Sequence, residues 1–181
     1  PTTNVVIEGF RIRNPDGYYG VYAGTGGSNS DVDGFVLRDN VIEDVATNLN
    51  SHAPLADGVA GLYVRAEYDS ITVEDNTVRN VDTTGDLGRN AVGISLSSFI
   101  GDTAFAGGGD TTSETAENTL VRNNTVTSIN GAKSSRTKGI AASGEFDGLT
   151  FENNTITGIT ADLSDSKVFA FELTENPGKN G

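Results

Sequence analysis

The chain contains no cysteine, which excludes disulfides, thiolate metal sites and thiol redox chemistry. It contains no apolar run approaching the roughly 18 residues a helix needs to cross a bilayer, so helical membrane insertion is excluded. Bases are scarce: 12 Lys and Arg stand against 25 Asp and Glu, for a net charge of −13. A surface of that sign repels nucleic acid and anionic lipid, which are bound through basic patches. Neither is an expected partner. Apolar residues make up only 35% of the 181 positions while glycine reaches 23, so any core must be narrow and elongated rather than round. The length suits a single domain over residues 1–181. The dense carboxylates fit a solvated surface, a high-salt habitat or a calcium-rich exterior. The opening Pro1–Asn4 is not a signal peptide and reads as a processed or trimmed end; an extracellular or cell-surface location is inferred from composition.

What the chain does contain is one phrase written four times. It runs over residues 33–45, 69–81, 117–129 and 147–159, beginning DGFVLRDNVIEDV and returning as DSITVEDNTVRNV, ENTLVRNNTVTSI and DGLTFENNTITGI. Beneath the copies lies apolar, any, apolar, two polar, Asn, any, apolar, two polar, apolar. The shared Asn is Asn40, Asn76, Asn124 and Asn154. A degraded version covers Val5–Asn14, with Gly9-Phe10 in place of the Asp-Asn pair. After each phrase come a polar loop and a second short apolar segment, led by Gly20, Gly61, Gly93 and Gly139, and starting at Val168 in the last unit.

Alternation of period two with Val, Ile and Thr enrichment predicts short strands rather than helices. From Phe10 through the Asn column the spacings are 30, 36, 48 and 30 residues. A constant strand core with variable loops is how a solenoid absorbs insertions. A leucine-rich repeat would need a tighter, Leu-rich period, and a propeller a four-stranded unit. The expected fold is all-β, a right-handed parallel β-helix of about five coils with three strands per coil and an Asn ladder at one bend. An Asn side chain carries both donor and acceptor, so stacked copies can bond one another and the bend backbone; this column is expected to be structural. Inward positions are expected at Val5, Ile7, Phe35, Leu37, Ile71, Val73, Leu120 and Phe151. On the Gly-led strands they are expected at Val21, Leu62, Ile94, Leu96, Ile140, Phe169 and Phe171.

The phrases IEGFRIRN…GVY and ITVEDNTVRN…GIS, with their Asn-bearing bend, resemble the pectate-lyase-like superfamily of β-helices over roughly residues 4–175. Closest are the right-handed β-helix repeats of secreted and periplasmic carbohydrate-acting or surface proteins. The resemblance implies that the Gly-led sheet and its loops form a groove for polysaccharide. Alternation puts Tyr22, Tyr63, Arg65, Ser95, Ser97, Ala141, Ser143 and Glu172 on the outward side of that sheet. Tyrosine rings stack on sugar faces, and arginine pairs with uronate carboxylates in a fork. The expected substrate-binding set is therefore Tyr22, Tyr63, Arg65, Ser95 and Ser97, with an acidic polysaccharide as ligand.

For catalysis the resemblance implies a lyase base or a set of hydrolase carboxylates. Arg65, His52 (the only histidine) and Glu172 are the candidates, with Glu145 and Asp147 offered by position. The catalytic signatures associated with pectate lyases, polygalacturonases and alginate epimerases are not found.

Three smaller signals remain. Asn29, Asp31 and Asp33, at alternate positions before Gly34, match the front half of an oxygen-rich calcium loop. Asn40 stands where such a loop needs its glutamate, so a complete EF-hand is excluded and calcium would bind at most a partial site; no cofactor is otherwise required. Two N-glycosylation sequons, at Asn123 and Asn153, fall one coil apart. Loops 97–117 and 48–57 would flank the groove. Neither Pro1–Asn4 nor the stretch from Glu175 supplies an amphipathic cap, so the chain is expected to be a segment of a longer solenoid or a subunit that self-associates through its coil ends. Two functions follow: a module that binds or modifies polysaccharide, and a structural surface or fibre module.

Overall fold

The computed structural model describes residues 2–23, 32–48, 58–65, 70–83, 90–97, 115–131, 136–161 and 167–174. The first coil carries β1 (Thr2–Thr3), β2 (Val6–Glu8), β3 (Arg11–Asn14) and β4 (Tyr19–Ala23). The second carries β5 (Val32–Asp33), β6 (Val36–Arg38), β7 (Val41–Val45) and β8 (Val59–Arg65), and the third β9 (Thr72–Glu74), β10 (Thr77–Asp82) and β11 (Ala91–Ser97). The fourth carries β12 (Thr115–Glu117), β13 (Leu120–Arg122), β14 (Thr125–Gly131) and β15 (Arg136–Ser143). The fifth carries β16 (Glu145–Asp147), β17 (Thr150–Glu152), β18 (Thr155–Ala161) and β19 (Lys167–Thr174). Equivalent strands of successive coils stack in three five-stranded sheets, β2-β6-β9-β13-β17, β3-β7-β10-β14-β18 and β4-β8-β11-β15-β19, and every pairing is parallel. This is a parallel β-helix of five coils.

Backbone chemistry explains why the phrase closes into a coil. The residue before the Asn column is left-handed in every coil: Gly9, Asp39, Asp75, Asn123 and Asn153, with φ between 52° and 72°. A second left-handed column runs through Asn4, Gly34, Ser70, Asn118 and Gly148, and a third through Asp44, Asn80, Ser128 and Gly158. Gly, Asn and Asp enter this region at least cost, and they fill nearly all of these positions. The third column explains the x-Φ-x-x-Φ half of the phrase. A left-handed residue inside the strand resets the alternation, so Ile42 and Val45, three apart, both reach the core, as do Val78 and Val81.

The core is a set of stacked columns: Leu37–Val73–Val121, Ile42–Val78–Val126, Val45–Val81–Ile129 and Leu62–Ile94–Ile140, all without exposed surface. The structure corrects two inward assignments. Leu120 pairs with Thr72 and Thr150 and is only half-buried, while Val121 takes the core place beside Val73. Thr119, buried where the second and third coils have Phe35 and Ile71, is what makes the apolar pattern of that coil look shifted. Phe169 is in register with Lys138 and, through it, with Val92, which places it on the outer face. Phe171 takes the inner column with Ile140.

The glycines do not open their strands, as the sequence suggested; β8, β11 and β15 begin two or three residues earlier. Their role is close approach. A Cβ on Gly93 would overlap Val126 Cγ1 and stand 2.6 Å from the Gly139 carbonyl oxygen, and Gly20, Gly61 and Gly139 are crowded in the same way.

Candidate functional site

The register fixes which side chains share the outer face of the third sheet. One column is Tyr19–Ala60–Val92–Lys138–Phe169 and the next is Tyr22–Tyr63–Ser95–Ala141–Glu172. A third begins with Arg65 and continues through Ser97, Ser143 and Thr174. The sequence-derived set Tyr22, Tyr63, Arg65, Ser95 and Ser97 therefore lies on adjacent rungs of one sheet. Accessibility differs from the expectation. Tyr63 is 1% exposed, and Ser95, Ser97, Ala141 and Ser143 are buried as well. Of the described members, only Tyr22 offers a large open surface, at 48%. Period two determines which side of a strand a residue takes; it does not determine whether that side is covered.

At the first two rungs three tyrosines form a cluster. Tyr19 stacks on Tyr63 with centroids 5.4 Å apart and planes inclined by 29°. Tyr22 stands edge-on to Tyr63 at 5.5 Å and 5.4 Å from Tyr19. Such offset and edge geometries suit the ring quadrupoles, each pair adding about 0.5–1.5 kcal/mol beyond burial. Tyr19 is outside the sequence-derived set, although it opens β4 and the alternation from Tyr19 to Val21 points to a strand.

Toward the other end, the buried Lys138 ammonium pairs with Glu172 Oε2. Arg136 Nη1 lies 3.6 Å from Glu172 Oε1. Glu172, a catalytic candidate, is thus held by two bases, and a buried charge requires such partners. Ser143 Oγ is buried with no hydrogen-bond partner among the described residues.

The remaining candidates divide plainly. His52, Asn29 and Asp31 lie outside the described residues. Asp33 pairs with Thr3 in the short β1–β5 sheet, but its side chain, like those of Arg65 and Glu145, lies outside the described residues. Asp147 is exposed and pairs with Glu117 through the backbone. Among the described residues no group of three His, Cys, Asp or Glu side chains could hold a metal ion. Asn123 and Asn153 are exposed at left-handed bends, one rung apart, while Asn124 and Asn154 turn into the ladder.

The other two outer faces carry ion pairs that the sequence reading did not single out. On the first sheet Glu8, Arg38, Glu74, Arg122 and Glu152 are in register, alternating in sign through all five coils. Arg38 Nε donates to Glu8 Oε2 at 2.6 Å and Arg122 Nε to Glu74 Oε2 at 2.8 Å. These bonds and the carboxylate charges raise the pKa of both guanidinium groups beyond their ordinary value. On the second sheet, Glu43 accepts from Arg79 Nε at 2.8 Å and from Arg11 Nε at 2.6 Å. Hydrogen bonding by Arg79, then Arg11, holds its carboxyl below the ordinary 4.5. Asp44, bonded by Asn80 and Arg13, is likewise held below 3.8. Lining up the residue two places before each Asn, and Glu8 two before Phe10, shows the alternation in sequence.

The fold and this face define the class: a parallel β-helix with one aromatic-bearing sheet face and two faces laced by ion pairs. Comparison with family models, with curated proteins and with solved structures finds no match for the chain.

Proposed function

We propose that this chain is an extracellular or cell-surface β-helix module, built like those of the pectate-lyase-like superfamily, that binds carbohydrate at the tyrosine end of its third sheet. The observation that carries the reading is the exposed Tyr22 ring braced by Tyr19 and the buried Tyr63. An aromatic ring held rigid by its neighbours presents a flat apolar surface to a sugar face at little entropic cost. Arg65, two positions beyond Tyr63 on the same strand, is the residue suited to a uronate carboxylate. With Glu172 committed to Lys138 and Arg136, binding is favoured over hydrolysis. The test is a glycan array of polyuronates and neutral polysaccharides with the parent chain, Tyr22→Ala and Arg65→Ala. Binding by the parent that falls at least tenfold in Tyr22→Ala, with an unchanged Tm, supports the reading; absence of binding to every glycan refutes it.

A second reading, a structural spacer that assembles through its coil edges, is favoured by a different observation. At the fifth coil Val168, Phe171 and Leu173 are exposed, and at the first coil Phe10 is exposed. Open apolar edges of a parallel solenoid are surfaces on which another coil can stack.

A further inference from the structure

The Asn ladder has a direction. Asn124 Oδ1 accepts from both the backbone N–H and Nδ2 of Asn76, and Asn154 Oδ1 accepts from both groups of Asn124. Each Asn is therefore the acceptor for the coil before it. At the first coil the ladder ends: Phe10 donates its N–H to Asn40 Oδ1 but brings no side-chain oxygen. At the fifth coil the ladder is unfinished. Asn154 Nδ2 donates to the Val121 carbonyl, and among the described residues nothing accepts from its backbone N–H.

The ion-pair column of the first sheet has the same asymmetry. Glu8 is closely paired with Arg38, with Nη2 to Oε2 at 2.5 Å. Glu152 is not: Arg122 turns its Nη2 to Glu74 at 2.6 Å and leaves Glu152 4.0 Å from Nη1. Since five rungs of alternating sign begin and end on glutamate, stacking one copy on another would set Glu152 against Glu8. It would also set the donors of Asn154 against Phe10, which has no acceptor to offer.

We propose that the open edge of the fifth coil receives a further coil of this repeat, one with Arg or Lys in register with Glu152 and Asn in register with Asn154, and that the first coil of a second copy does not fit there. The proposal rests on the assembly reading of the open edge and is independent of carbohydrate binding. Exposed Phe171 and Leu173 supply the apolar contact, Glu152 the charge and Asn154 the directional hydrogen bonds. A mismatched coil leaves the Asn154 donors unpaired and sets like charges at Glu152, and a matching coil satisfies both, so these two positions select the partner.

The test extends the chain itself. Replacing residues 177–181 with a copy of residues 117–174 preserves the 30-residue coil spacing and brings Arg122 and Asn124 of the copy under Glu152 and Asn154. A control carries Arg122→Glu and Asn124→Phe within the copy, imitating Glu8 and Phe10. The extended chain is expected to melt cooperatively at a higher Tm than the parent, and the control at the parent's Tm or below. An equal rise in both overturns the selectivity while leaving edge stacking intact; no rise in either overturns edge stacking as well. The unaltered chain is expected to sediment as a monomer at all concentrations. Concentration-dependent association that Leu173→Asp abolishes overturns the exclusion of a second copy.

Discussion

Asn76 Nδ2 donates to Asn124 Oδ1 at 3.1 Å, and the Asn76 backbone N–H donates to the same oxygen at 3.0 Å. One side-chain oxygen thus satisfies two buried donors of the preceding coil, at the bend where the backbone leaves its ladder. Asn76 also donates to the Leu37 and Glu74 carbonyls, so its amide is bonded on every side.

Asn76→Ala is expected to cost on the order of 3 kcal/mol, because it strands the Asn40 donors and the Leu37 carbonyl in a buried bend. Equilibrium urea unfolding measures the loss. A cost under half that value would mean that water replaces the amide.

Gly93→Ala is expected to destabilise by about 1–3 kcal/mol through overpacking, since its Cβ would overlap Val126 and crowd the Gly139 carbonyl. Gly9→Ala meets no atom within 4 Å and carries only the strain of φ +72°. Thermal melts of the two variants should rank Gly93→Ala as the more harmful.

Val121 and Leu120 provide a direct check of the register. Val121→Asp buries a charge in the core column and is expected to abolish cooperative folding, whereas Leu120→Asp places it on the half-buried outer side and is expected to fold. Limited proteolysis separates the cases. The reverse ranking would restore the alignment that sequence pattern suggested.

Acid stability should follow Glu43 and Asp44. Their carboxyls titrate lower in the folded chain than in the unfolded one, because Arg79 and Arg11 bind the first and Asn80 and Arg13 the second. The unfolded state therefore takes up protons first as pH falls. Their contribution is full above about pH 4.5 and is lost progressively below it, as pH drops past 4.5 for Glu43 and 3.8 for Asp44 toward the folded values. Glu43→Gln is expected to be less stable at pH 7 and to lose less stability between pH 5 and the acid limit. Parallel pH profiles for the two proteins would contradict this assignment.

The sequence contained more of the fold than of the site. The recurring Asn, the period-two apolar pairs and the near-constant spacing led to parallel coils because each is a local requirement repeated in register. Leu120 escaped, since Thr119 in a core place made the apolar pattern of that coil appear one residue out of step. The Gly column was legible as a recurrence but not as a cause, because close approach is a relation between coils. Tyr22 and Tyr63 were assigned to one face correctly, yet one is open and the other sealed.

By itself, then, the sequence determined a stacked parallel β solenoid with Asn at one bend: hydrophobic alternation and left-handed bend residues act within a few positions of one another. Only the tertiary structure decided what lies across the rungs. It paired Glu8, Arg38, Glu74, Arg122 and Glu152 into a ladder, closed Lys138 on Glu172 and braced Tyr22 against Tyr63. Those groups stand 30 to 48 residues apart in the chain and meet only because the pitch of the coil brings successive turns into register.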